Sequence, residues 1–240
     1  MLDRSKLSDA YGPATDIPRL LAALEPDPAA GVWDELISRI CHQGSTYSAS
    51  YPALPHLLDA ARRWPAPARV TPLCLAADIV ASDDTDAATR AGYADTHAAL
   101  RQLTADTLDA QAIPQSDLVW LQRAFLLLCD ERTWAPGWDR LLDGEVSGAC
   151  PGCGVDLYLV IGGEGCFATA ADCINGCDTP RVAIVPAARA ALVWPGDWLF
   201  DIAHRHGDGA LEHRIVHAFG TSACPDCGTP FRLGDALQDG

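Results

Sequence analysis

The sequence predicts a mainly α protein, with HEAT-like antiparallel helical pairs over residues 1–145 and a zinc-ribbon-like α+β module over residues 146–240. Three observations predict it. Apolar residues recur at helical spacing through the first 145 positions. From Gly144 onward glycine and proline become frequent and short β-like runs replace the helical stripes. Two Cys-Pro-x-Cys-Gly motifs, at 150–154 and 224–228, lie in the second region.

The helical elements follow in order. Between 32 and 43 the apolar positions are Trp33, Leu36, Ile37, Ile40 and Cys41, the stripe of an amphipathic helix. Tyr51, Leu54, Leu58 and Ala61 mark a second stripe, with Pro52 and Pro55 in or ahead of its first turn. Val70, Leu73, Cys74, Ala77 and Ala81 mark a third, ended by the polar cluster at 82–86. Residues 87–108 are alanine-rich with few breakers and read as one long helix. Ser116 or Asp117 would cap the next, whose residues 118–129 are apolar nearly all round and so predict a buried position. Residues 138–142 would add a short helix. Helices joined by short turns are expected to pair antiparallel; an irregular bundle is the alternative.

In the second region, residues 155–161 alternate Leu157, Leu159 and Ile161 against Asp156, Tyr158 and Val160, a strand pattern. Residues 166–169 and 181–185 are weaker strand candidates. Gly162, Gly163, Glu164 and Gly165 lack the spacing and lysine of a phosphate loop and read as a hairpin turn. Helical signal returns at Trp198, Leu199, Ile202 and Ala203. It continues through Leu211, Ile215 and Phe219, with Gly220 as C-cap. A short helix is expected from Asp235.

Cys150, Cys153, Cys224 and Cys227 supply four thiolates, the full ligand set of a closed tetrahedral zinc site. Proline after the first cysteine stiffens each turn, and glycine after the second tolerates the positive φ needed to leave it. A thioredoxin-like motif would open a helix; here a strand pattern follows. Four soft ligands also suit iron, and spacing alone does not separate the two metals. Because all four positions are filled, the expected role is structural Zn2+. The seventy residues between Cys153 and Cys224 are too many for a structureless loop and predict a folded insertion, a small sheet followed by a helix pair.

Composition bounds function. The 240 residues carry 17 basic and 32 acidic side chains, a net charge of −15. Residues 1–149 hold 12 basic against 21 acidic, and residues 150–240 hold 5 against 11, so neither half is built to bind nucleic-acid phosphate. A basic protein partner suits such a surface, as does plain solubility. The first ten residues lack the apolar core of a signal peptide, and the longest apolar run, 124–129, is too short to cross a bilayer. The expectation is a cytoplasmic protein, in which ten cysteines mean metal ligands and buried thiols before disulfides.

Other groupings carry weaker chemistry. Cys166, Cys173 and Cys177 need a fourth ligand to hold a metal and read more simply as free thiols. His213 and His217 stand at i, i+4 on a predicted helix, with His204 and His206 upstream. That spacing can hold a metal, but polar-face histidines are the simpler reading. Residues 42–51 form the densest polar and aromatic stretch. They read as an inter-helix turn, Gly44 ending one helix and Ser48 or Ser50 capping the next, or as a recognition loop. Trp33, His42, Gln43, Tyr47 and Tyr51 are the candidate binding residues. His42 beside a serine invites a hydrolase reading, but no nucleophile-elbow motif accompanies it.

The run Trp33-Asp34-Glu35-Leu36, His42-Gln43-Gly44-Ser45-Thr46-Tyr47-Ser48-Ala49-Ser50-Tyr51 and Leu54-Pro55-His56-Leu57 resembles a group of uncharacterised bacterial proteins. They carry an HQG-[ST]-x-Y segment in a helical, HEAT-like domain, and some also carry paired CPxCG motifs. Some relatives are associated with polymorphic-toxin immunity. The resemblance implies an interaction protein, in the form of an immunity protein against a basic toxin, and brings no catalytic residues. The alternative is an enzyme, or an accessory protein of a biosynthetic pathway, with a pocket near His42, Tyr47 and Tyr51.

Overall fold

The computed structural model describes residues 7–110, 113–170 and 179–237. It divides into two compact units, Met1–Glu131 and Arg132–Gly240.

The first unit opens with a hairpin of β1 (Ser8–Asp9) and β2 (Gly12–Pro13), then α1 (Ile17–Ala22) and α2 (Gly31–Ile40). The expected stripe on α2 is real: Trp33, Leu36 and Ile40 are buried. A second hairpin, β3 (Cys41–His42) and β4 (Ser45–Thr46), leads into α3 (Ser50–Arg63). After a 3-10 turn come α4 (Val70–Ala81), α5 (Ala87–Gly92), α6 (Ala94–Leu108) and α7 (Gln115–Leu128). Helix α4 packs between α3 and α7, and α6 lies against α7 and α3. Leu118, Val119, Leu121, Leu126, Leu127 and Leu128 of α7 are all buried. Each contributes about 1.5–3 kcal/mol of apolar burial, which makes α7 central, as its all-round apolarity predicts.

Three local expectations are corrected. The single helix expected over 87–108 is two, broken at Tyr93. Asp86 caps α5 by accepting from Thr89 N (2.9 Å), and Arg90 turns back to bond the carbonyls of Thr85, Val80 and Ser82 at the end of α4. Tyr93 sets its ring edge-on to Tyr51 at 5.7 Å. These contacts outweigh the alanine-rich propensity for one straight rod. Helix α7 begins at Gln115 behind Pro114, so Ser116 and Asp117 occupy its first turn instead of capping it. Gly44 does not end α2. Gln43 (φ 51°) and Gly44 (φ 83°) form the two-residue turn of the β3–β4 hairpin, a pair of left-handed residues that matches strand twist.

The second unit starts before the expected 145/146 division. Its first element is the 3-10 segment Ala135–Leu142, expected as a short helix over 138–142. Trp134 and Trp138 pack on Phe219, with ring centroids at 4.5 and 6.4 Å, and Arg214 Nη1 donates to Leu141 O at 2.6 Å. Strands β5 (Glu145–Ala149), β6 (Asp156–Gly162), β7 (Gly165–Thr169) and β8 (Val182–Ala183) form an antiparallel sheet in that order. Gly163 and Glu164 make the β6–β7 turn. Helices α8 (Gly196–Arg205) and α9 (Gly209–Ala218) follow, then a hairpin of β9 (Thr221–Ala223) and β10 (Pro230–Arg232), and α10 (Leu233–Ala236). The hairpin and α10 meet opposite edges of the sheet. Val185 bridges Thr221 beyond β8, and the carbonyl of Ala236 on α10 comes so near Gly148 on β5 that a Cβ there would lie 2.4 Å from it. The described residues of the insertion between the motifs are thus folded, as its length demands. Helix α9 ends on Phe219 in place of Gly220.

Candidate metal centre and contact surface

The two motifs fold alike. Each sits in the tight turn of an antiparallel hairpin, the first between β5 and β6, the second between β9 and β10. Cys150 N donates to Val155 O (2.8 Å) and Gly154 N to Cys150 O (2.8 Å). Cys224 N donates to Thr229 O (2.9 Å) and Gly228 N to Cys224 O (3.0 Å). Gly154 and Gly228 share φ 74°, a left-handed conformation that resists side chains. The sequence repeat therefore encodes a conformational repeat.

The turns face each other. Cys150 Sγ lies 3.7 Å from Cys227 Sγ, and Cys153 Sγ lies 3.9 Å from Cys224 Sγ. All four sulfurs fall within 4.8 Å of one another. Thiolates held tetrahedrally at about 2.3 Å from a central ion have edges of about 3.8 Å, so the arrangement is consistent with a metal site. Cys150 and Cys224 are buried, while Cys153 and Cys227 face solvent.

The donor set is half prepared for ionisation. Cys227 Sγ is 3.1 Å from Thr229 Oγ1; that hydroxyl, then the Thr229 N–H, holds the thiol down to about 6. At Cys150 burial opposes the thiolate, but the N–H groups of Cys153 and Gly152 overcome it and lower the pKa. At Cys153 the Val155 N–H favours ionisation, yet the sulfurs of Cys227, Cys150 and Cys224, with burial, push it up to about 12. Burial foremost raises Cys224 as well. Four like charges at this spacing repel strongly, and a cation among them removes the conflict. Thr229 also packs against Gly152, where a Cβ would stand 2.5 Å from Oγ1. Cys166 has moved into a different cluster, described below, while Cys173 and Cys177 lie outside the described residues.

The candidate contact residues separate by burial. Trp33 is 1% exposed, stands edge-on to Trp64 at 6.0 Å and donates Nε1–H to Glu25 O. Tyr51 is 4% exposed and its hydroxyl reaches Val80 O. Both side chains work in packing. Tyr47 is half-buried, and its N–H donates to Ser50 Oγ (2.8 Å). Ser50 in turn donates to Ile40 O at 2.6 Å, so it ties the end of α2 to the approach of α3. The N-cap of α3 is Ala49, not Ser48 or Ser50. Ser48 instead bonds Ser8. His42 and Gln43 do reach the surface. His42 meets Tyr11 edge-on at 5.9 Å, and Arg39 lies over the Tyr11 ring at 5.6 Å. Arg39 is braced by the buried carboxylate of Asp9 at 3.0 Å. Tyr11, 64% exposed, completes this surface. No periodic signal marks it in the sequence, because it sits in the turn of the β1–β2 hairpin.

Clefts open among the described residues of this unit. One of roughly 590 Å³ runs past Cys41, Cys74, Asp78, Trp120 and Arg123; an apolar one of roughly 230 Å³ lies beside Ile17, Leu21, Pro52 and His56. Neither is lined by His42, Tyr47 or Tyr51. Among the described residues no helix is long and apolar enough to cross a membrane. Compared with protein-family models, curated proteins and solved structures, the chain matches none.

Proposed function

We propose that the protein is a cytoplasmic protein-interaction module. In this reading the helices of the first unit form HEAT-like pairs that carry the contact surface. The second unit is a zinc-ribbon-like module built on a structural Zn2+ held by Cys150, Cys153, Cys224 and Cys227. The observation that carries the reading is the surface made by Tyr11, His42 and Gln43. Two tight hairpins project these side chains, and Arg39, paired with the buried carboxylate of Asp9, lies against the Tyr11 ring. Rigid aromatic groups beside adaptable polar ones are the composition of contact surfaces.

Charge supports a basic partner: a net −15 attracts one and speeds encounter. The resemblance to immunity-associated bacterial proteins supports a toxin as that partner. Four sulfurs fill a tetrahedral shell, so this metal would brace the fold and leave no position for a substrate.

The test recovers partners from the native host and measures affinity with purified components. Tyr11→Ala and His42→Ala are each expected to weaken binding at least about tenfold, as loss of an anchor residue does. Affinity is expected to fall as salt rises. Unaltered binding in both variants, or binding indifferent to salt, would contradict the proposal.

A further inference from the structure

We propose that Cys166, His213 and His217 form a second metal site, for a divalent ion of the zinc type, with these three as its protein ligands among the described residues. The three residues come from two elements. Cys166 sits on β7, paired with Ile161 of β6 on one side, and its carbonyl accepts from Ile184 N at 3.0 Å on the other. His213 and His217 lie one turn apart on α9, which packs against β6. One donor atom from each lies within 4.8 Å of the others.

The geometry matches the chemistry. Cys166 Sγ is 3.6 Å from His213 Nε2. Zinc–sulfur and zinc–nitrogen bonds of about 2.3 and about 2.0–2.1 Å at a tetrahedral angle place sulfur and nitrogen about 3.6 Å apart. The two imidazole centroids are 4.2 Å apart. His217 is only 9% exposed, and its Nδ1 lies 2.8 Å from the carbonyl oxygen of His213. A carbonyl only accepts, so Nδ1 carries the proton and Nε2 keeps its lone pair for a metal. Fixing a ligand's tautomer through a backbone carbonyl is how proteins orient metal-binding histidines.

A hydrogen bond between a thiol and an imidazole accounts for Cys166 and His213 alone. It gives no reason for a second, buried imidazole with a fixed tautomer in the same cluster. His204 does not join in, since it pairs with Glu212 at 3.1 Å. His213 is exposed, and so one side of the cluster faces water. Among the described residues three protein ligands meet here, on a side that water reaches, whereas the four-sulfur site has a full protein shell.

The test is metal stoichiometry and Zn2+ affinity of the full chain, with Co2+ as spectroscopic probe. The wild-type chain is expected to bind two equivalents. His213→Ala alters an exposed side chain and Cys166→Ala a partly exposed one, so circular dichroism should report both variants as folded. Each should keep one equivalent. Each should also weaken the other by more than the about 10–100-fold that loss of a ligand's supporting partner costs. In the Co2+ protein, Cys166→Ala should remove one thiolate's share of the sulfur charge-transfer band. A fall from one equivalent to none would support this site and overturn the four-cysteine one. A single wild-type equivalent that both variants retain, or a second equivalent that both variants leave unchanged, would overturn the proposal and reduce the cluster to a thiol–imidazole hydrogen bond.

Discussion

Cys150 and Cys227 are separated by 77 positions in the chain, yet their sulfurs approach to 3.7 Å. The approach joins the first hairpin of the second unit to its last. Between those hairpins the closure encloses, among the described residues, strands β7 and β8 and the α8–α9 pair. A metal that binds only the folded arrangement stabilises it by mass action, so the folding of this unit and its metal content should be coupled.

Gly152 is the tightest point of the closure. A Cβ there would meet Thr229 at 2.5 Å from Oγ1 and 2.9 Å from Cβ. Gly152→Ala is expected to cost about 1–3 kcal/mol, the usual penalty of overpacking, and to speed metal loss because Thr229 also holds Cys227. Gly163→Ala, where nothing lies within 4 Å, is the control and should be close to neutral. Chemical denaturation and metal release into a chromogenic chelator measure both.

Ser50 is 0% exposed and bonds at both ends, to Ile40 O and from Tyr47 N. Ser50→Ala would leave a buried carbonyl and a part-buried N–H without this partner. The expected loss is about 1–3 kcal/mol, read as a lower denaturation midpoint, with hydrogen exchange rising first around 40–50.

The carboxylate of Asp86 should titrate below its usual range, because Thr89 bonds it through backbone N–H first and hydroxyl second. A depressed folded pKa means that the stabilisation is fully present above the ordinary carboxylate pKa. It is lost as pH falls through the lower, folded value. An NMR titration should place the midpoint below about 3.9. Asp86→Asn should remove this pH dependence while α5 persists, and Asp86→Ala should fray residues 87–92.

What the sequence made legible was periodic or repeated. The stripe of Trp33, Leu36 and Ile40, the all-round apolarity of α7, and the twin cysteine motifs each carry their structure in local spacing. What it hid depends on single residues answering to distant ones. Gln43 adopts a positive φ without being glycine, so the β3–β4 hairpin resembles a helix end followed by a loop. Arg90 and Tyr93 break a good helix because the carbonyls of α4 and the ring of Tyr51 lie within reach. Strand β5, Glu-Val-Ser-Gly-Ala, has little β-propensity and exists because β6 pairs with it. Trp33 and Tyr51 look like contact residues by type, and the core claims them. In the same way, i, i+4 spacing alone could not raise His213 and His217 above surface histidines. Their significance comes from Cys166, which strand pairing delivers from 47 positions away.

The central claim, that the four-cysteine site holds the second unit together, is tested most directly by hydrogen-exchange mass spectrometry before and after complete metal removal, with Cys224→Ser as the genetic equivalent. Residues 145–162 and 221–233 are expected to lose their protection, while residues 50–81 and 115–128 keep theirs. Unchanged protection across 145–162 and 221–233 in the metal-free protein would contradict it.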